Sequence, residues 1–309
     1  MLLDADNIVD RRRLKRKLTF WRLSAVVAAV IAAVVAAGRI GDIGDIGGKI
    51  GGDDHVARLD VSGIILEDYD RDRALDKLAD DGNAKALVVY INSPGGTVVG
   101  GEDLFHNIRK IAGRKPVVAL MGSTATSAGY MTALAADHII AREGTVTGSI
   151  GVLMQSADMT GLLDKLGIKP ENVKSHPLKA QPNPLEPFSE EAREAARNVV
   201  MDLFNMFVDM VVDRRKMNHD QVMKMADGRV FTGRQAKENG LIDAIGGEFE
   251  ARRWLNETHK ISDSLPLRNV DIVRKGQVWR DLLGANIGKI LFSERLGLDG
   301  PISIWHPDS

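Results

Sequence analysis

The period of the apolar positions changes several times along the chain, and each change predicts an element. Residues 18–37 are almost wholly apolar, with no charge after Arg22. With Arg22 snorkelling, they approach the ~20 residues that a membrane-spanning helix needs. Residues 56–61 then alternate apolar and polar, which predicts a strand; Ser62 and Gly63 turn it into Ile64, Ile65 and Leu66. A solvated helix is expected over 70–78. Residues 86–91, Ala-Leu-Val-Val-Tyr-Ile, are apolar throughout, as in a parallel-sheet strand covered on both faces. Leu104, Ile108 and Ile111 give helical spacing over 101–111, residues 117–120 read as a short buried strand, 131–136 as a helix and 138–141 as a strand. This β-α-β-α-β order predicts an α/β domain with right-handed crossovers. Further on, residues 151–154 read as a strand. Ser189 is placed as the N-cap of a long helix running to about residue 217, with acids in its first turn. Its stripe of Val199, Leu203, Phe207 and Val211 serves either core packing or a subunit contact. Shorter helices are expected over 219–225, 233–239 (stopped by Gly240) and 249–259.

Charge changes the reading of the first segment. Arg11, Arg12, Arg13, Lys15, Arg16 and Lys17 precede the apolar run, and Trp21 suits the headgroup region. Dense positive charge before an apolar stretch holds the N-terminus in the cytoplasm. The expected organisation is therefore a basic cytoplasmic segment (1–17), a single-pass anchor (18–37), a glycine-rich linker (38–54), a globular domain (55–260) and a C-terminal extension (261–309). A cleaved signal peptide competes with the anchor, because Val35-Ala36-Ala37-Gly38 has the small residues of a cleavage site. The linker's Gly-Asp-Ile repeats either hold it flexible or let its isoleucines skim the bilayer. The tail over 277–305, with Trp279, Leu282, Leu283 and Phe292, reads as a segment that reaches a neighbouring subunit or as a flexible end. The whole chain, 309 residues with 44% apolar, 27% charged and net charge −1, is long enough for a sizeable core and has no bias toward nucleic acid. It has no cysteine, which excludes disulfides and thiolate metal sites. It carries no phosphate loop and no HExxH, so neither a metal nor a cofactor is expected.

Candidate chemistry centres on Gly122-Ser123-Thr124-Ala125-Thr126-Ser127-Ala128-Gly129-Tyr130, between a strand and a helix. A serine at such a turn exposes its hydroxyl beside the orphan amides of a helix N-terminus, which stabilise a developing oxyanion. Ser127 is the candidate nucleophile. The plain alternative is a helix cap, a role for which Ser123, Thr124 and Thr126 compete. Gly95 and Gly96 end another strand, either as a tight turn or as backbone brought close to a ligand. Both turns fall at the carboxyl ends of strands, where ligands gather in open α/β sheets.

Three motifs in order, Asn92-Ser93-Pro94-Gly95-Gly96, Thr126-Ser127-Ala128-Gly129-Tyr130 and Thr147-Gly148-Ser149-Ile150-Gly151-Val152, resemble the bacterial signal peptide peptidase A (protease IV, S49) family in its half-length form. Asp227-Gly228-Arg229-Val230-Phe231-Thr232-Gly233-Arg234-Gln235-Ala236 and Gly240-Leu241-Ile242-Asp243-Ala244-Ile245-Gly246-Gly247 resemble its second signature. The likeness covers roughly residues 55–260. Ala128 stands where many members have Gly, and Thr126 where many have Ala or Ser; both remain small. The resemblance implies a Clp-protease/crotonase-like fold and a serine endopeptidase with a Ser127/Lys179 dyad. The oxyanion hole would come from Gly95 or Gly96 and Ala128, and Ser149 would orient the lysine. Peptide substrate would lie extended between Thr97-Val98-Val99 and Ile150-Gly151-Val152. The resemblance also implies cleaved signal peptides as substrates and an extracytoplasmic catalytic domain on a bacterial inner membrane. The assembly implied is a homo-oligomeric ring, an octamer being one size, in which one protomer's serine meets the next one's lysine.

Lys174 rivals Lys179, and a Ser-His-Asp arrangement using His138 or His176 is an alternative. A lysine base must be neutral to act, although its ordinary pKa is near ~10.4. Burial favours the uncharged amine, and bringing the pKa to about 7 costs roughly 4 kcal/mol. Two other function classes remain open: a crotonase-like acyl-CoA enzyme and a catalytically silent membrane scaffold.

Overall fold

The computed structural model describes residues 53–274 and 302–304, together with Trp21, Arg22, Ala25, Val26 and Ala29. The chain divides into two units, Met1–Asp53 and Asp54–Ser309. In the first, residues 21, 22, 25, 26 and 29 are helical and exposed. No helix among the described residues is long and apolar enough to cross a membrane. The basic segment 1–17, most of the anchor expected over 18–37 and nearly all of the linker expected over 38–54 lie outside the described residues.

The second unit begins β1 (His55–Ile65), α1 (Tyr69–Asp80), β2 (Ala84–Thr97), α2 (Val98–Ala112), β3 (Val117–Thr126), α3 (Ala128–Leu134), β4 (His138–Ala141) and β5 (Val146–Gly148). Strands β1 to β4 pair in parallel, so that Leu59, Val89, Ala119 and Ile139 form one continuous row across the sheet. That row is buried with Leu104, Ile108 and Ile111 of α2 and Tyr130 and Met131 of α3. The alternate residues Val56, Val88, Val118 and Ile140 pack on the opposite face. Both faces are covered, which is why the strand sequences are continuously apolar rather than alternating.

The chain continues with α4 (Thr160–Lys165), α5 (Glu190–Arg215), α6 (His219–Met223), β6 (Val230–Thr232), α7 (Gly233–Glu238), β7 (Ala244–Ile245), α8 (Glu248–His259), β8 (Leu267–Asn269) and β9 (Ile302–Ile304). Ala251 and Leu255 of α8 cover the second sheet face. The described strands make one nine-stranded sheet with the path β6-β5-β3-β2-β1-β8; β4 joins β3 and β7, and β9 joins β2. All pairs are parallel except β5 with β6 and β2 with β9. The fold is therefore a mixed α/β sheet, and β8 carries it beyond the expected domain end at 260.

Strand β3 changes partner along its length. Val118 to Leu120 pair with β4, whereas Thr124 to Thr126 pair with β5. Gly122 lies at the change, and a Cβ there would stand 2.8 Å from the Tyr90 hydroxyl. The switch turns the end of β3 away from β4 and delivers Ser127 beside β5.

Three expectations are corrected. The strand expected to stop at Ile91 runs on through Asn92-Ser93-Pro94-Gly95-Gly96, because Ile64 and Ile65 of β1 pair with Gly95 and Gly96 across a register shift. Val98 and Val99 are not strand residues: Thr97 ends β2, and its hydroxyl accepts from the Gly100 amide as the N-cap of α2. Residues 151–154 contain a single bridging residue, Leu153, and no strand. The preceding strand β5 ends where Gly148 and Ser149 both take positive φ, 85° and 51°.

Helix α5 is packed along only part of its length. Phe207, Val208 and Val211 are fully buried, whereas Val199 of the expected stripe is 48% exposed. Ser189 caps it, accepting from the Ala192 amide.

Candidate active site

Ser127 links β3 to α3 with φ 56° and ψ −121°. A non-glycine residue at positive φ costs on the order of 1–3 kcal/mol and persists only where its surroundings hold it. Here the Ser127 amide donates to the Gly148 carbonyl at 2.8 Å, and its own carbonyl accepts from the Met131 amide at 2.9 Å. The side chain caps nothing. Its Oγ is buried without a hydrogen-bond partner among the described residues, and the residue is 1% exposed. An unpaired buried hydroxyl costs a further ~1–3 kcal/mol. The capping alternative is thereby excluded for Ser127. Ser123, Thr124 and Thr126 lie within β3 and cap no helix either. Ala128 is the first residue of α3, so its N–H is one of the orphan amides of a helix start.

The end of β2 lies alongside. Ser93 pairs with Ala125 of β3. The Ser93 hydroxyl accepts from the Gly95 amide at 3.0 Å and donates to the Gly95 carbonyl at 3.2 Å. Gly95 holds φ 124°, reachable cheaply only by glycine. Its N–H is thus engaged by Ser93, which leaves Gly96 as the candidate donor of the two. A Cβ on Gly96 would meet the Ile65 carbonyl oxygen at 1.8 Å, so the strand tolerates no side chain there. The opposite edge of Gly95-Gly96-Thr97 pairs with Ile304, Ser303 and Ile302 of β9 in antiparallel register.

The third element is the end of β5. Thr126 pairs with Gly148, and the Thr147 hydroxyl donates to the Ala125 carbonyl at 2.7 Å. Ser149 is buried, and its amide donates to the Arg229 carbonyl at 2.9 Å. Gly148 cannot carry a side chain, since a Cβ would lie 2.7 Å from the Phe231 ring. The structure therefore gathers Ser127, Ala128, Gly95, Gly96, Thr97 and Ser149 on three adjoining strand ends, with Ile150 fully buried and Gly151 and Val152 half-buried behind them.

Lys179 differs from this cluster in burial. No residue from 151 to 191 is buried, and Lys179 lies exposed in that stretch, its amide donating to the His176 carbonyl at 2.9 Å. The rival Lys174 is engaged: its ammonium pairs with Glu186, which also accepts from Asn172 and Gln181 at 2.7 Å each. Lys174 holds the Glu186 carboxyl below its ordinary pKa.

The histidine alternatives lie elsewhere. His138 pairs with Val118, at the other end of β3 from Ser127, a separation on the order of 30 Å at ~3.3 Å per strand residue. Its ring stacks on Trp254 at 4.8 Å, and burial lowers its pKa despite the neighbouring Asp243. His176 shares the exposed stretch with Lys179, where its Nδ1 accepts from the Leu178 amide at 3.3 Å.

A serine strained at a strand-to-helix junction, its hydroxyl unpaired beside an orphan amide, has the geometry that acyl-transfer chemistry needs. The family model described as "Peptidase family S49" matches residues 109–262, and the "Clp protease" model matches residues 70–144. A candidate protease of Synechocystis sp. is 35% identical over 64% of this chain and 72% of its own length. A candidate signal peptide peptidase SppA of Enterococcus faecium is 33% identical over 68% of this chain and 65% of its own. A chloroplastic serine protease SPPA of Arabidopsis thaliana is 37% identical over 64% of this chain, but that match spans only 30% of the longer relative. Among solved structures, a ClpP1 variant from Listeria monocytogenes is similar over 62% of this chain and 92% of its own, at TM-score 0.43 and 16% identity. The class is a peptidase. The chain belongs to peptidase family S49, alongside proteins named signal peptide peptidase SppA and protease 4.

Proposed function

We propose that the protein is a membrane-anchored serine endopeptidase of Clp-protease/crotonase-like fold that degrades peptides, cleaved signal peptides among them. The observation that carries this reading is the Ser127 hydroxyl, buried, unpartnered and held at positive φ at the start of α3. In the reaction, Ser127 Oγ attacks the scissile carbonyl and its proton passes to the neutral amine of Lys179. The Gly96 and Ala128 amides hold the oxyanion, and the protonated lysine returns the proton to the leaving amine. Water then cleaves the acyl-enzyme by the same route. Ser149 orients the amine.

The substrate enters as an extended strand in place of β9 on the edge of Gly95-Gly96-Thr97, with Val98, Ile150, Gly151 and Val152 completing the cleft. The pairing of β9 with that edge supports this mode, since it is an edge on which an antiparallel strand already fits. Because Lys179 sits on a stretch without a buried residue, the base reaches the serine of a neighbouring copy in a ring of identical subunits. Exposed Leu162, Leu166, Ile168 and Val173 on the same stretch support an interface there. The basic run before an apolar segment supports the anchor, with the catalytic unit on the extracytoplasmic side of the bacterial inner membrane.

The test is to treat the purified full-length protein with a fluorophosphonate and map the adduct by mass spectrometry, alongside hydrolysis of a signal-peptide fragment. Hydrolysis with the adduct on Ser127 is expected. A protein that cleaves no peptide and carries no adduct on Ser127 contradicts the reading.

A further inference from the structure

The end of β2 that presents the Gly96 amide is held by two hydroxyls that take no part in bond making. Ser93 and Thr126 are both fully buried. Ser93 ties this strand end to itself through Gly95, as described. Thr126, the residue before Ser127, donates from Oγ1 to the Pro94 carbonyl at 2.9 Å. The nucleophile's own strand thus grips the carbonyl two residues before Gly96. No hydroxyl is needed at either place for burial alone, because an apolar side chain of the same size fills the same space without needing a partner. Nor are these side-chain bonds part of the sheet ladder: β2 and β3 shift register between Ile91 and Ser93, and the bonds lie just beyond that irregularity.

We infer that Thr126 and Ser93 are positioning residues that fix the distance between the Ser127 oxygen and the Gly96 N–H, setting the geometry of the oxyanion hole. This rests on the acyl-transfer reading above. Backbone donors stabilise a transition state only when they sit within hydrogen-bond distance of where the oxyanion forms. A strand end whose Pro94 carbonyl is released is free to relax toward a shape that binds the substrate equally well but holds the oxyanion poorly. The predicted signature is a loss in kcat without a matching change in KM, since the oxyanion exists only on the way to the acyl-enzyme.

The experiment compares the wild-type protein with Thr126→Val, Thr126→Ser and Ser93→Ala on one peptide substrate, with thermal unfolding measured in parallel. Affinity for a peptide aldehyde, whose adduct places an oxyanion in the hole, is set against affinity of the uncleaved peptide on a Ser127→Ala background. Expected are a fall in kcat of about tenfold or more for Thr126→Val and Ser93→Ala, a similar fall in aldehyde affinity, and peptide affinity within about twofold. Thr126→Ser, which keeps the hydroxyl, is expected to recover most of kcat. Should Thr126→Val fail to fold, Ser93→Ala and Thr126→Ser carry the same comparison. Variants that keep kcat and aldehyde affinity, or that lose peptide affinity in step with kcat, overturn the inference and leave the peptidase reading standing. A wild-type protein that neither cleaves peptide nor reacts at Ser127 overturns both.

Discussion

Ser127 carries two local costs, a strained backbone and an unpaired buried hydroxyl, and both vanish if the residue is glycine. Ser127→Gly is therefore expected to raise stability by about 1–3 kcal/mol while abolishing hydrolysis, measured by thermal unfolding and peptide cleavage. A destabilised variant contradicts the idea that the surroundings hold this residue against its preference. At the lysines, Lys179→Ala is expected to lower kcat by about 10³-fold or more. Lys174→Ala, which frees Glu186 and loosens the loop, is expected to leave kcat within about tenfold; equal losses contradict the assignment of the base. At this scale the sequence was legible where residue type sufficed. Small residues around Ser127 and paired glycines after Pro94 marked two segments that lie on adjoining strand ends. The engagement of the Gly95 amide by Ser93 was not legible, because it depends on the backbone angles taken within β2, nor was the grip of Thr126 on Pro94, which depends on strands β2 and β3 lying side by side.

Elements were read best where burial imposes a period. The continuously apolar strands and the spacing of Leu104, Ile108 and Ile111 followed from a sheet covered on both faces. What was misjudged depends on partners far away in sequence: β2 runs through Pro94 because β1 pairs with its glycines, and residues 151–154 form no strand because Gly148 and Ser149 turn the chain first. The short β6, β7 and β8 left no pattern of their own. Two predictions belong here. Strand β9 lies where a substrate would pair, so a chain ending at residue 300 is expected to show a lower KM for peptides with kcat unchanged; an unaltered KM means β9 does not compete. On the other side, Asp72 of α1 faces Asp103 of α2, with Asn107 donating to both. Burial, then the hydrogen bond and the charge of Asp103, push the Asp72 carboxyl up to about 6 from an ordinary 3.8. Between those values the folded protein holds a proton that the unfolded chain has released, so this group's contribution to stability falls as pH rises from about 4 to about 6. Asp72→Asn is expected to flatten that dependence and to raise the unfolding temperature at pH 7. A pH dependence unchanged from wild type contradicts it.

For the molecule as a whole, the decisive feature is a contrast in burial. Ser127, Ala128 and Gly96 are buried at the ends of β3 and β2, whereas Lys179 lies exposed on a stretch in which nothing from 151 to 191 is buried. Such a stretch has no core of its own to fix it, and its exposed leucines, with the half-covered helix α5, gain a partner surface only when another copy docks. Docking would also remove water from the lysine, which is what a neutral amine base requires. The most direct measurement is to co-assemble Ser127→Ala and Lys179→Ala chains, each inactive alone, and to assay peptide cleavage by the mixed particles. Recovery of activity, in proportion to the particles that contain both chains, is the predicted result. Mixed particles confirmed to contain both chains, yet with no activity above either parent, contradict a site built from two subunits.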